Sequence, residues 1–323
     1  MDSGNIGFVL LCAAFVFVMT PGLAMFYGGL VRKKNVVNTM MTSIFIIGVG
    51  IVMWVLFGYS LSFAPSGNAF IGDFRWLGLE GVSLTEGYTD GASIPNMVFS
   101  AFQMMFAVIT PALITGAVAG RMKFKSIFVF TIFWSLIVYY PLAHMVWGQG
   151  GLLGADGIGA LDFAGGDVVH ISSGVSALVL CILLGKRHDY EHSIYRIHNI
   201  PTVVLGASLL MFGWFGFNAG SALAADGLAA HAFMTTGVSA AAAMLSWMLC
   251  DVIKNKKPTL IGASTGMVAG LVGITPGAGF VPMWAAVIIG LTTSPVCYIM
   301  ISYGKKKFGF DDALDAFSCH GTG

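Results

Sequence analysis

Two histidines, His170 and His320, lie in otherwise apolar stretches, and each follows a Leu-Asp pair, Leu161-Asp162 in one case and Leu314-Asp315 in the other. An ionisable imidazole is costly to keep in hydrocarbon, so by default it marks a route for ions or protons rather than packing. A neutral imidazole has one donor and one acceptor nitrogen. Two that meet can share a proton and still offer hydrogen bonds to a small polar solute. Taken singly, each histidine has an alternative reading as a side chain hydrogen-bonded within a helix bundle. Their spacing sets a condition: His170 is eight residues beyond Asp162 and His320 five beyond Asp315. At ~1.5 Å per residue those are depths of only ~12 and ~7 Å. To meet at mid-membrane, both helices must start below the surface, under vestibules.

Other side chains could serve the same route. Phe102 and Phe106, four apart, share a helix face with Gln103 beside them. Trp147 ends an apolar stretch, where it reads either as an interfacial belt residue or as a face for a cation, which gains up to ~2 kcal/mol over a desolvated indole. The run Trp214-Phe215-Gly216-Phe217-Asn218-Ala219-Gly220-Ser221 mixes aromatics, an amide and a hydroxyl. Ser221 could accept a hydrogen bond from an ammonium-like cation, or bond back to its own helix. Asp162 suits a helix cap that also keeps a vestibule attractive to cations. Asp167, three residues before His170, falls close to the same face. Asp311, Asp312 and Asp315 read as a loop and helix start, and His188, His192 and His198 as solvated residues of a basic loop. No nucleophile–base or metal-ligand constellation is visible, and Cys12, Cys181, Cys250, Cys297 and Cys319 stand singly, so neither an enzyme nor a disulfide framework is indicated and no cofactor is expected.

These residues need a membrane to make sense, and the composition supplies one. The chain is 57% hydrophobic and 10% charged, where soluble proteins carry about a quarter charged residues. Charge-free runs cover 3–31, 35–72, 91–120, 126–155, 168–185, 197–225, 227–250 and 258–304. About 20 apolar residues cross a bilayer, and Thr275-Pro276-Gly277 to Pro282 divides the last run in two, so nine spans are expected. A tenth begins after Asp315 and stops at Gly323, which reads as a truncated end. Alternate loops hold Arg32 to Lys34, Arg121 to Lys125, Lys186 to Arg196, Lys254 to Lys257 and Lys305 to Lys307. Cationic loops stay cytoplasmic, so the N-terminus is expected outside and the protein in a plasma or inner membrane. The net charge of +1 gives no reason to expect nucleic-acid binding.

Ile109-Thr110-Pro111 in the third span recurs as Ile274-Thr275-Pro276 in the eighth, and the Leu-Asp…His pattern of the fifth recurs in the tenth. Matches five helices apart, in opposite directions, predict a single domain over 1–323. It would be an all-α polytopic bundle of two inverted five-helix halves, approximately 1–195 and 196–323. The Gly262, Gly266, Gly270 stripe is expected to pack helices closely.

Taken in order, PGLAMFYGGLVRKKNV at Pro21 to Val36, AFQMMFAVITPALITGA at Ala101 to Ala117, AHMVWGQGGLL at Ala143 to Leu153, LDFAGGDVVHI at Leu161 to Ile171, WFGFNAGS at Trp214 to Ser221 and DDALDAFSCHG at Asp311 to Gly321 resemble the ammonium transporter (Amt/Mep/Rh) family. That resemblance implies an eleven-helix protomer, a homotrimer, and a pore through each subunit. It implies Trp147, Phe106 and Ser221 as an outer cation-recruitment site supported by Asp162, with Phe106 and Phe217 as a stacked gate. Phe102 and Gln103 lie close by, and His170 and His320 are twin histidines of a dry pore. The family commonly has threonine where this chain has Asp167. Ammonium, with methylammonium as its analogue, is the implied substrate, and a PII-type signal protein an implied partner at the cytoplasmic face. An ammonium sensor whose signalling module follows the supplied end, and a neutral-gas channel, are the alternative readings.

Overall fold

The computed structural model describes the whole chain except residues 66, 156, 189 and 191–195, so the expectation for His192 lies outside the described residues. Within them the protein is helical, with nine helices long and apolar enough to cross a bilayer. These are α1 (Ser3–Leu30), α2 (Lys33–Phe63), α3 (Asn96–Ile114), α4 (Phe124–Trp147), α5 (Gly166–Leu184), α6 (Ile200–Gly220), α7 (Gly227–Asn255), α8 (Leu260–Gly277) and α9 (Met283–Phe308). A short turn, α10 (Phe317–Gly321), follows. Helices are what a chain of this composition can form in lipid, because they satisfy every backbone group internally. Their starts are written locally: Asp2, Asn199, Asp226 and Thr259 each accept N–H bonds from the first turn they cap. The break expected in the last apolar run is there, with α8 ending at Thr275-Pro276-Gly277 and α9 beginning after Pro282. The protein is a multi-pass membrane protein.

Glycines set the helix spacings. A Cβ on Gly206 of α6 would lie 2.3 Å from the Phe26 nitrogen of α1, and one on Gly266 of α8 would lie 2.4 Å from the Trp247 Cβ of α7. Gly270 is equally confined, so the glycine stripe packs as expected. Gly206→Ala is expected to lower stability by about 1–3 kcal/mol, as overpacking a tight interior does; thermal unfolding in detergent measures it.

One such contact makes the functional site. Where α5 passes α10, a Cβ on Gly174 would meet the Gly321 nitrogen at 2.3 Å, so the two backbones touch immediately beyond His170 and His320. Both segments wind as π-helical turns there, Gly166–Ile171 in α5 and Phe317–Gly321 in α10. Such wide turns are rare and recur at functional sites.

Candidate functional site

Asp162 and Asp312 begin the two half-buried helices. The carboxylate of Asp162 accepts the N–H groups of Gly165, Gly166, Asp167 and Val168 at 2.6–3.2 Å. Asp312 accepts those of Ala316 and Ser318 and the Ser318 hydroxyl at 2.9–3.1 Å. Each histidine lies eight residues beyond its cap, and the third residue after each cap has positive φ, Gly165 at 123° and Asp315 at 63°. This corrects the register read from the Leu-Asp pairs: the partner of Asp162 is Asp312, not Asp315, and the unequal eight and five residues become equal. Both caps are buried within the protein, 8% and 1% exposed. Asp311, expected in a loop, is buried, gripped by Arg187 at 2.6 and 2.7 Å with Arg121 nearby. Asp315 faces Lys305.

From one face of the molecule a hollow of about 400 Å³ descends to Trp147, Phe106, Gln103 and Ser221, with Tyr88 and Thr89 of the 64–95 loop on its wall. Trp147 is held by its indole N–H, which donates to the Asp162 carbonyl at 2.9 Å. Thus Asp162 supports the tryptophan through the backbone and does not line the hollow; its lone pairs are consumed by the cap. The Ser221 hydroxyl donates to Phe217 O at 2.9 Å, leaving oxygen lone pairs for a donor in the hollow. The Gln103 side-chain oxygen is buried and has no hydrogen-bond partner among the described residues. Phe102 stands behind this surface, 4.9 Å from Phe106 and against Gly220.

Below the hollow the rings form a continuous column. The centroid separations are 6.0 Å for Trp147–Phe106, 4.3 Å for Phe106–Phe217, 6.0 Å for Phe217–His170 and 5.1 Å for His170–His320. Phe106 and Phe217 are 1% and 0% exposed, so they close the path between the hollow and what lies beneath. Beneath is a second cavity of about 150 Å³, walled by Leu23, Ile109, Leu113, Leu210, Trp214 and Val268 among others, into which both histidines face. Their Nδ1 atoms are 3.2 Å apart. Because one must donate and one accept, a neutral pair leaves one Nε2 with a proton and the other with a bare lone pair. Among the described residues the His170 Nε2 has no hydrogen-bond partner.

Asp167 lines neither space; its N–H feeds the Asp162 cap, and the wide π turn carries residue 167 round the axis away from residue 170, where an α-helix would have brought the two close. Sequence reasoning passed over Trp214, which stacks on His170 at 5.2 Å and 25° and whose N–H donates to Thr275 Oγ1 at 2.9 Å. Its signal was present in the spacing, three residues before Phe217 on one helix face. Tyr88, stacked on Phe99 at 4.6 Å, comes from a loop whose course no periodicity specifies.

Comparison with known proteins gives the arrangement a family. An ammonium transporter of Bacillus subtilis is 53% identical over 324 residues, spanning all of this chain and 78% of that one. The ammonium transporter Amt1 of Archaeoglobus fulgidus is 42% identical over all of this chain and 79% of its own length. Among solved structures, Saccharomyces cerevisiae Mep2 superposes with a TM-score of 0.92 at 39% identity, covering all of this chain and 71% of that one. A protein titled Sensor Amt Protein gives 0.89 at 28% identity over 98% of this chain and 79% of its own. The profile of the Ammonium Transporter Family, a family of transporters and not of enzymes, matches residues 7–323, and the chain belongs to that family.

Proposed function

We propose that this protein captures ammonium as a cation and conducts it as ammonia. The observation that carries the reading is the ring column, which runs from an open hollow to an imidazole pair 3.2 Å apart in a largely apolar cavity. In the hollow the cation meets the Trp147 indole and the edge of Phe106, and donates hydrogen bonds to Ser221 and Gln103. It cannot pass the Phe106–Phe217 pair as an ion, because an ion loses its hydration there without replacement. Ammonium has a route that potassium lacks: it gives a proton to solvent in the open hollow and crosses neutral. Below the gate, ammonia donates to the bare imidazole nitrogen and accepts from the protonated one. The proton shared between the two Nδ1 atoms lets the pair relay a proton across the same step, giving net ammonium uptake.

By the lysine distribution, the hollow faces outward and the basic loops the cytoplasm. The protein works as a homotrimer with one pore per subunit, and its basic face receives a PII-type partner. Methylammonium uptake into proteoliposomes tests the function, with saturable uptake above that of protein-free vesicles expected. The likeness to a protein titled as a sensor supports a second reading, ammonium sensing by the same fold. Specific methylammonium binding without flux would establish that reading in place of transport.

A further inference from the structure

Of three consecutive lysines, only Lys305 turns inward: its side chain is 17% exposed, while Lys306 and Lys307 are exposed. The cause is local. α9 passes through a π-helical turn at Met300–Gly304 immediately before it, which swings the following residues round the axis. Lys305 Nζ contacts the Asp315 carboxylate and donates to the Asp312 carbonyl at 3.2 Å. The Asp315 carboxylate takes no part in capping α10, which that of Asp312 does, yet the residue stands at the turn into that helix in the left-handed region, at φ 63°. Such a conformation persists only where the surroundings hold it. Asp315 also lines the lower cavity, beside Leu314, Ile261 and Thr265 at the end nearest the lysine-rich face. Without its partner, that carboxylate would hold a cation at the end of an apolar path that works only while it carries neutral molecules. Local negative charge is already crowded, because the buried Asp312 carboxylate stands three residues before Asp315.

We propose that the Lys305–Asp315 ion pair is a selectivity element, a charge-neutral rim that keeps monovalent cations from lodging at the lysine-rich end of the conduit. The proposal rests on the conduction reading above. Ammonia leaving past His320 meets no net charge and takes up its proton in water. With Lys305 gone, the lone carboxylate would hold re-formed ammonium, and potassium would compete for the same place.

The test measures methylammonium uptake into proteoliposomes containing potassium or choline on both sides, together with equilibrium binding of radioactive rubidium to the detergent-solubilised protein. Wild type is expected to take up methylammonium equally in both salts and to bind no rubidium at this end. Lys305→Gln is expected to lose about tenfold of its uptake in potassium, the change that ~1.4 kcal/mol of cation binding produces, and to bind rubidium. Lys305→Gln combined with Asp315→Asn is expected to regain uptake to within about twofold and to lose the rubidium. Equal behaviour of Lys305→Gln in both salts with no rubidium bound would overturn the proposal, as would a double variant as impaired as the single one. If Lys305→Gln fails to fold while the double variant folds, an unpaired buried charge is the cause, as proposed; if both fail, the pair is structural and the proposal falls. Absence of uptake by wild type would instead count against the conduction reading, and rubidium binding would still decide the role of the pair.

Discussion

His170→Ala and His320→Ala are each expected to reduce methylammonium uptake at least about tenfold, ~1.4 kcal/mol or more of barrier, while the protein stays folded. Either substitution breaks the 3.2 Å Nδ1 contact, so the remaining imidazole loses the partner that fixes its tautomer and orientation. The cavity then offers one polar wall where it had two, and the proton shared by the pair has nowhere to go. Stability is expected to suffer little by comparison, since the Gly174–Gly321 crossing and the Asp162 and Asp312 caps remain. Uptake with purified, monodisperse variants separates the two effects. Wild-type rates and unchanged selectivity in both variants would remove the imidazole pair from the mechanism.

Asp162→Ala is expected to be the most damaging substitution for fold and transport together. Its carboxylate accepts four buried N–H groups, and each buried donor left without a partner costs about 1–3 kcal/mol. A loss of several kcal/mol is the expectation even with partial rearrangement. The same segment supplies the carbonyl that fixes Trp147, so slackening it also loosens the cation face of the hollow. Asp162→Asn retains one acceptor oxygen but turns an amide donor toward N–H donors, and it is expected to fall between alanine and wild type. Thermal unfolding paired with the half-saturating methylammonium concentration reads out both effects. A fully stable Asp162→Ala protein with wild-type affinity would show that the cap is dispensable.

Much of this architecture is legible in the sequence because a bilayer enforces it. Each span must be apolar and about 20 residues long, and lysines mark alternate loops, so counting residues places α1 to α9 and the break at Pro276. The same economy makes a histidine or aspartate within a span conspicuous, which is how His170, His320 and Asp162 stand out. What pattern could not supply was register. Leu314-Asp315 imitates Leu161-Asp162 letter for letter, yet the chain caps α10 with Asp312, because a cap is defined by which carboxylate reaches the free N–H groups. Asp167 deceived for a related reason: its nearness to His170 assumed α-helical winding, and the segment winds wider. The column of rings was visible only in pieces, Phe102 with Phe106 on one helix and Trp214 with Phe217 on another. Their union depends on how α3, α5 and α6 pack, which sequence spacing within one helix does not encode. Tyr88 comes from a loop and Lys305 directly follows a π turn, so no simple period governs their side-chain directions.

Potassium is close to ammonium in size and charge but has no proton to give up, so comparing their fluxes through the wild-type protein tests the central claim most directly. In one proteoliposome preparation, with methylammonium uptake and potassium or rubidium flux followed under the same gradient, saturable methylammonium uptake is expected together with alkali-cation flux no greater than in protein-free vesicles. Alkali-cation flux at a rate comparable with methylammonium would mean that ions cross the Phe106–Phe217 pair with their charge, and would contradict passage of the neutral molecule.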